Sequence, residues 1–162
     1  MPAPAEVKLP SDTEIMVTRD FDAPRSLVYL AFTKPELVRR WLLGPPGWSM
    51  PVCEIDLRIG GQDHYRWRND AQGQEFGLRG TFERIERDKT LDSREAFEDS
   101  EPAGEARVQT SFLDHGKGTR VVYLIISDSK QARDAAIATG MTDGMEMSFK
   151  SLDKLITEGA LD

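Results

Sequence analysis

Residues 41–61 read WLLGPPGWSMPVCEIDLRIGG, and this stretch decides the fold. Its first half is a rigid aromatic loop, because the turn at 44–47 contains two prolines between two glycines. Its second half predicts an apolar strand over 52–59 that ends at a pair of glycines. Asp56 and Arg58 stand two residues apart in this predicted strand and therefore share one face. No catalytic or phosphate-binding motif has this form, so we interpret the stretch as part of a sheet that curves around a space.

Upstream of this stretch, the pattern predicts one strand followed by two short helices. The alternation of apolar residues over 13–21 is typical of a strand. Pro24 suits the first position of a helix, where the missing N–H is not needed. Pro35 opens the second helix, which the 44–47 turn ends.

Downstream, the sequence predicts an antiparallel meander covered by a long helix. Short turns separate further strands at 62–68, 75–85, 90–97, 105–113 and 119–126, which gives a sheet of six or seven strands. Apolar residues then recur at helical spacing over 130–158, with Ser129 as a cap and Gly159 as a stop. A single helix of this length, on the order of 40 Å, would cover the inner face of the sheet. The fold class is therefore α+β.

Composition limits the partners and the location. The 162 residues suit one domain over 12–162 behind a flexible leader at 1–11. A net charge of −7 argues against nucleic acid or an anionic membrane surface as partner. A single cysteine and the lack of an 18-residue apolar run predict a cytoplasmic protein without membrane insertion. The acidic residues crowded into 92–105 predict a solvated hairpin and loop, with an acidic docking surface as the alternative.

Small residues line one side of the predicted long helix, beside two methionines. The set comprises Gly140, Gly144, Ser148, Ser151, Met141 and Met145. Each glycine costs about 1 kcal/mol in a helix interior relative to alanine. Close packing or a kink would account for this stripe, and so would a cavity rimmed by flexible methionines.

Several segments fall in the order typical of one family. They are FDAPR at 21–25, AFTKPE at 31–36, Trp41 with 44–45, DLRIGG at 56–61, Gly80, GTR at 118–120, 144–145 and LDKL at 152–155. Together they strongly resemble the homologues of the activator of the ninety-kilodalton heat-shock-protein ATPase, in the START-like (SRPBCC) superfamily. The resemblance covers nearly the whole chain from about residue 13. It implies a helix-grip (START-like, Bet v-like) fold, in which a curved antiparallel sheet wraps around the C-terminal helix.

Two positions depart from the family pattern. Lys34 stands where an aspartate usually caps the second helix, which weakens that helix start by about 1 kcal/mol. Met145 stands where many members carry tryptophan, so we expect a softer pocket wall.

A pool of large apolar side chains is available to line a ligand pocket, since such pockets are mostly apolar with few polar groups. Trp48 is expected at its mouth, on the rigid loop. Tyr65 and Trp67 share one face of their strand, which we take as the concave face. The pool comprises Trp41, Trp48, Tyr65, Trp67, Phe76, Phe82, Phe112, Tyr123, Met141, Met145 and Phe149.

The candidate polar anchors are Asp56, Arg58, His64 and Arg79. Structural roles are preferred for them, namely an ion pair near the glycine bend for Asp56 and Arg58 and an exposed sheet position for His64. Two distant histidines and one cysteine lack metal-ligand spacing, so no metal is predicted. No cofactor fingerprint and no catalytic residue is identified.

The preferred reading is a binding module, rather than an enzyme, for a small hydrophobic molecule such as a lipid, an isoprenoid or an aromatic metabolite. The alternative is an enzyme of the polyketide cyclase or hydrolase type acting in the same cavity, as implied by some START-like relatives. A third reading is a regulator of a chaperone ATPase. Members with that role carry a separate amino-terminal domain, which we do not expect here, so no chaperone partner is predicted. The oligomeric state, a homodimer included, is left open.

Overall fold

Eight antiparallel strands form one sheet in the order β1-β2-β8-β7-β6-β5-β4-β3. The computed structural model describes residues 2–98 and 104–161. The elements are β1 (Glu6–Lys8), β2 (Glu14–Phe21), α1 (Arg25–Thr33), α2 (Pro35–Trp41), β3 (Trp48–Ile55), β4 (Gln62–Asn69), β5 (Glu75–Glu86), β6 (Thr90–Phe97), β7 (Ala106–His115), β8 (Gly118–Ile126), α3 (Lys130–Ala138) and α4 (Met141–Thr157).

The sheet confirms the predicted α+β helix-grip architecture and its meander. Strands β3 to β8 pair in chain order, and β2 then pairs with β8 from Glu14↔Ile126 to Phe21↔Thr119. The strand count is eight rather than six or seven, because Glu6–Lys8 pairs with β2. The segment expected to be a flexible leader therefore contributes an edge strand.

The turn after β3 corrects one predicted boundary. β3 ends at Ile55, and residues 56–61 form a tight turn in place of the strand predicted to reach residue 59. The turn is fastened to β5, because Phe82 donates its backbone N–H to the Gly61 carbonyl at 2.9 Å. Asp56 and Arg58 are exposed and pair with each other at 2.8 Å.

The helix starts follow the predicted caps closely. α1 begins at Arg25, so Pro24 is the N-cap residue rather than the first helical residue that the sequence predicted. Pro35 occupies the first position of α2, and Lys34 caps that helix without a side-chain hydrogen bond, as expected. Ser129 caps α3 by accepting from the Ala132 N–H at 3.0 Å.

The predicted continuous helix over 130–158 is wrong, because the chain breaks at Gly140. This residue is left-handed with φ 80°, a conformation that glycine adopts without steric cost, and it separates α3 from α4. The kink therefore explains one member of the small-residue stripe. Ser148 has a packing role, since its Oγ accepts from the Gly44 N–H at 2.9 Å. A β-carbon on Gly144 would meet no atom within 4 Å, so open space lies beside it.

The core lies between the inner face of the sheet and the helices, in two clusters. The main cluster joins β2, β7 and β8 to α1 and α4, with Phe112, Phe149 and Leu152 at its centre. A smaller cluster under α2 joins Val38, Met50, Cys53 and Tyr65 on β3 and β4. Burial raises the pKa of the Cys53 thiol to about 11.

Arg19 joins the last helix to the sheet through a buried ion network. Its guanidinium, 1% exposed, donates to Glu146 Oε1 at 3.0 Å and to Asp153 Oδ2 at 2.7 Å. It also donates to the Asp20 carbonyl at 2.9 Å. The backbone N–H of Ala5 donates to the same Glu146 oxygen, so the network also holds the chain just ahead of β1.

We expect Arg19→Met to lower the free energy of unfolding by about 3–5 kcal/mol, because it leaves the buried Asp153 and the half-buried Glu146 carboxylates without their cation. Adding Glu146→Gln and Asp153→Asn to this variant should recover most of the loss, since no uncompensated charge remains. Urea unfolding measures both effects. A single variant as stable as the wild type would contradict the assigned role.

Candidate functional site

Two carboxyl groups lie on the concave face of the sheet, on either side of one glycine. Asp63 pairs with Gly80 across β4 and β5, and Gly80 pairs with Glu95 across β5 and β6. The three residues therefore form one row across three neighbouring strands, which we call the carboxyl row. Asp63 shares its face with the buried Tyr65, and Glu95 shares its face with the buried Leu91, so both carboxyl groups point inward.

Asp63 is held in an unusual position for a carboxylate. It is 5% exposed, and its Oδ1 has no hydrogen-bond partner. A β-carbon on Gly80 would lie 2.3 Å from that oxygen, so only glycine leaves room for it. Burial raises the pKa of Asp63, while the Tyr65 hydroxyl and backbone N–H groups oppose the rise. An unpaired buried oxygen of this kind is costly and marks a place where a donor is missing.

Glu95 is also short of partners. Its Oε1 accepts one long hydrogen bond, from Ser93 Oγ at 3.4 Å. Burial raises its pKa to about 7, with a further contribution from the charge of Asp63. A carboxyl group with this pKa exchanges its proton near neutral pH, which an ordinary glutamate does not do.

Glu95 and Tyr123 lie at the boundary between the core and solvent. Tyr123 and Glu95 are each only half-buried, so each keeps surface within reach of a water molecule. Burial is nevertheless the largest cause of the raised pKa of both groups. Both groups are therefore removed from most, but not all, of the surrounding water.

The predicted apolar pool separates into four groups, three of which lie in or beside the core. Trp41, Phe82, Phe112 and Phe149 are core residues, and Trp41 also donates its indole N–H to the Ala31 carbonyl. Tyr65 belongs to the smaller core cluster. Tyr123, Met141 and Met145 are half-buried at the edge of the main core.

The remaining aromatic residues meet at one end of the concave face. Trp67 stacks on Phe76 at 5.1 Å between ring centroids, and Trp48 meets Phe76 edge-on at 5.5 Å. Phe97, which sequence reasoning missed, joins them at 6.1 Å and is 50% exposed. We call Trp48, Trp67, Phe76 and Phe97 the aromatic rim.

The four predicted polar anchors do not reach the concave face. Asp56 and Arg58 lie in the exposed turn after β3. His64 and Arg79 lie on the opposite face of the sheet, where both bind Glu98, at 2.8 Å and 2.7 Å. These two bonds, with His64 contributing most, lower the pKa of Glu98 to about 2.

The inward carboxyl groups carried a signal in the sequence that was not used. Asp63 has the same parity as Tyr65 and Trp67, which were placed on the concave face. Glu95 has the same parity as Leu91, but it was grouped with the solvated acidic residues of 92–105. Alternation along each strand would have placed both residues inside.

Two shallow clefts lie at the far ends of β2 and β8, away from the carboxyl row. One has a volume of about 140 Å³ and is lined by Asp22, Ala23, Pro24, Leu27, Ile156, Gly159 and Leu161. The other has a volume of about 210 Å³ and is lined by Asp20, Phe21, Asp22, His115, Lys117 and Gly118. Neither cleft contacts Asp63 or Glu95.

The search for metal and membrane features gives two findings. Within residues 2–98 and 104–161, no group of three or more histidine, cysteine, aspartate or glutamate side chains is arranged to hold a metal ion. None of the helices in this same part of the chain is long and apolar enough to cross a membrane.

We expect Glu95→Gln to change how stability depends on pH. Between the ordinary pKa of 4.5 and the folded value of about 7, the folded state keeps a proton that the unfolded state has lost. The wild type therefore loses stability as pH rises through this window, whereas the glutamine variant does not. From about pH 4.5 to about pH 8, the variant should gain about 1–3 kcal/mol relative to the wild type.

Urea unfolding at the two pH values gives this difference. Glu158→Gln, at the exposed end of α4, is the matched control and should show no such gain. Parallel pH profiles for the Glu95 variant and the wild type would contradict the raised pKa.

Comparison with solved structures gives the same fold in several bacteria. A protein from Rhodobacter sphaeroides shares 26% identity at a TM-score of 0.90, over 96% of this chain and 99% of its own. A protein from Mycobacterium smegmatis shares 22% identity at a TM-score of 0.82, over 94% and 96% of the two chains. The AHSA1-like protein from Aeromonas hydrophila shares 18% identity at a TM-score of 0.71, over 92% and 95%. The last two likenesses, below 25% identity, show the fold alone.

Sequence comparison identifies the family. No curated protein matches the chain. The model of the family described as Activator of Hsp90 ATPase homolog 1-like protein matches residues 22–157, which is most of the chain. The chain therefore belongs to the family of Activator of Hsp90 ATPase homolog 1-like proteins.

Proposed function

We propose that this protein binds a small, largely apolar molecule between the concave face of the sheet and the helices α3 and α4. The observation that carries the proposal is the state of the carboxyl row. Asp63 Oδ1 is buried without a partner, and Glu95 is desolvated yet accessible. Buried polar groups without hydrogen-bond partners lower the stability of a folded protein, and a bound molecule that supplies donors would explain why they are kept.

The walls around this row suit an apolar occupant. Leu78 and Ala106 flank it on the sheet, and Met141 and Met145 lie at the edge of the neighbouring core. Methionine side chains adapt to irregular shapes, which suits a binding surface. Apolar walls with a few polar groups are the usual composition of a small-molecule site.

The aromatic rim provides a route into this space. Trp67 and Phe76 lie on the concave face, and Phe97 pairs with Leu78 directly beside the carboxyl row. Phe76 and Phe97 are 38% and 50% exposed, which is high for aromatic side chains. We infer that the apolar molecule passes over this rim.

A second candidate function, an enzyme of the polyketide cyclase or hydrolase type, is favoured by one observation. The pKa of Glu95, raised to about 7, would let its carboxyl group take and return a proton at neutral pH. Regulation of a chaperone ATPase stays the third alternative, and a cytoplasmic location and the lack of a nucleic-acid partner stay predictions from the sequence.

The enzymatic alternative predicts a specific pattern for Glu95→Gln. If Glu95 transfers a proton, this variant should still bind metabolites from a polyketide-type panel, but product formation should fall by about 100-fold or more. Mass spectrometry of the incubated panel gives both readouts. A panel that is bound but never converted by the wild type would remove this alternative.

The binding proposal predicts that filling the interior space blocks the ligand. Ala106 lies on the concave face beside Glu95, so Ala106→Phe would place a ring in the gap. Ala96→Phe is the matched control, because Ala96 lies next to Glu95 but on the opposite face. Retention of small molecules in native mass spectrometry, and displacement of the uncharged apolar fluorophore N-phenyl-1-naphthylamine, measure binding.

Ala106→Phe should lose at least about 10-fold in affinity for the fluorophore, whereas Ala96→Phe should bind like the wild type. Circular dichroism confirms that both variants are folded. Equal binding by the two variants, or no binding by the wild type, would contradict the interior site.

A further inference from the structure

We propose that the apolar molecule carries a protonated amine, and that its ammonium group binds between Asp63 and Glu95 above Gly80. This inference rests on the proposed function and names the class of its ligand. It assigns to the two carboxyl groups a role as a cation-binding pair.

The geometry of the row supports a single shared partner. Asp63 and Glu95 are each one strand away from Gly80, so their backbones are about 10 Å apart. Both side chains rise from the same face, and the glycine between them leaves room for the Asp63 carboxyl group to lean toward Glu95. Asp63 Oδ1 already lies directly above Gly80, as the 2.3 Å distance to a β-carbon there shows. A group placed above the glycine is therefore within reach of both carboxyl groups.

The charge balance of the concave face favours a cation. Among the described strand residues, Arg19 is the cation that points inward, and Glu146 and Asp153 already bind it. Asp63 and Glu95 have no basic partner on this face, and each raises the energy of the other when ionised. A fatty acid or an isoprenyl phosphate would add a third negative charge with nothing to pair it.

An ammonium group also matches the hydrogen bonds that are missing. It has three donors and no acceptor, whereas an alcohol offers one donor and no charge. Asp63 Oδ1 and the weakly bonded Glu95 carboxyl group need donors. Charge-assisted hydrogen bonds of this kind are about twice as strong as neutral ones. Within the described part of the chain, no further carboxylate, histidine or cysteine joins the pair to form a group of three that could hold a metal ion.

The groups that face the pair do not compete for this role. The groups that act on Glu95 are the Asp63 carboxyl group, the Ser93 hydroxyl and the Tyr123 side chain, which itself feels the charge of Glu95. On Asp63 they are the Tyr65 hydroxyl, backbone N–H groups and the charge of His64, which lies on the opposite face. From the helix side, Met141 and Met145 are apolar, and Glu146 is bound to Arg19. Protonation of Glu95 below its pKa of about 7 should therefore weaken binding of an amine.

Three probes with the same eight-carbon alkyl chain distinguish an amine, an alcohol and a carboxylate as the head group of the ligand. Octylamine, octanol and octanoate, each below its micellar concentration, compete with N-phenyl-1-naphthylamine at about pH 8, where the octylamine is protonated and Glu95 is ionised. We expect octylamine to bind at least about 10-fold more tightly than octanol, and octanoate to bind most weakly. The advantage of the amine over the alcohol should shrink at about pH 5.5, as Glu95 takes up a proton.

Variants of the carboxyl groups test the assignment directly. Glu95→Gln and Asp63→Asn should each bring octylamine affinity down to about that of octanol, while octanol affinity stays within about 2-fold of the wild type. Glu158→Gln is the matched control and should keep the full preference for the amine. If the Asp63 variant does not fold, the Glu95 variant and the ranking of the three probes on the wild type still test whether the carboxyl groups bind an amine.

The outcomes separate this inference from the proposed function. Octanol or octanoate binding as tightly as octylamine would overturn the amine assignment, while displacement of the fluorophore would still support an interior apolar site. A preference for the amine that survives in both carboxyl variants would also overturn it. Binding of none of the three probes, together with no fluorophore binding, would overturn the proposed function and this inference with it.

Discussion

The buried ion network around Arg19 is the constraint on which the rest of the structure depends. A guanidinium from β2, 1% exposed, is fixed by two carboxylates of α4 and stacks within 5.1 Å of the Phe21 ring centroid. Removing one charge from such a network destabilises the fold far more than replacing all its members with apolar side chains. The network therefore sets where α4 lies on the sheet, and thereby which part of the concave face is filled by the main core and which part is left for the carboxyl row.

Carboxyl groups on the two faces of this sheet behave in opposite ways, although they come from neighbouring positions. Glu98 binds His64, Arg66 and Arg79 on the outer face, and its pKa falls to about 2. Glu95, three residues earlier, faces inward among apolar walls, and its pKa rises to about 7. Both residues are glutamates, so net charge and composition do not distinguish them. The face to which each points decides whether it is a structural anion or a group able to meet a ligand.

The sequence was sufficient for the architecture, because the architecture depends on local patterns. Alternation, turn residues and helix starts at Pro35 and Ser129 placed most elements within a few residues. The break at Gly140 was weighed only as a kink, since a glycine in a helical pattern does not reveal whether its backbone becomes left-handed. The early end of β3 was missed because the 56–61 turn is fixed by hydrogen bonds to β5, which lies about twenty residues further along the chain.

The site was harder to predict, because its residues are defined by pairing across strands. The partnership of Arg19 with Glu146 and Asp153 joins positions more than 120 residues apart and leaves no local pattern. Asp63 and Glu95 become one site only when the register places both beside Gly80. Parity alone could have turned each of them inward, but it could not have brought them together. The aromatic residues were predicted as a pool, and only the register separated the rim from the core.

The buried thiol of Cys53 has a practical consequence for spectroscopy. As the sole cysteine of the chain, with its pKa raised to about 11, it stays protonated and sheltered under α2 at neutral pH. Maleimide dyes and thiol-specific nitroxide spin labels, which react with thiolates, should leave the native molecule unmodified. One new cysteine introduced at a surface position would then carry the whole of any such label, without first having to mutate the natural one.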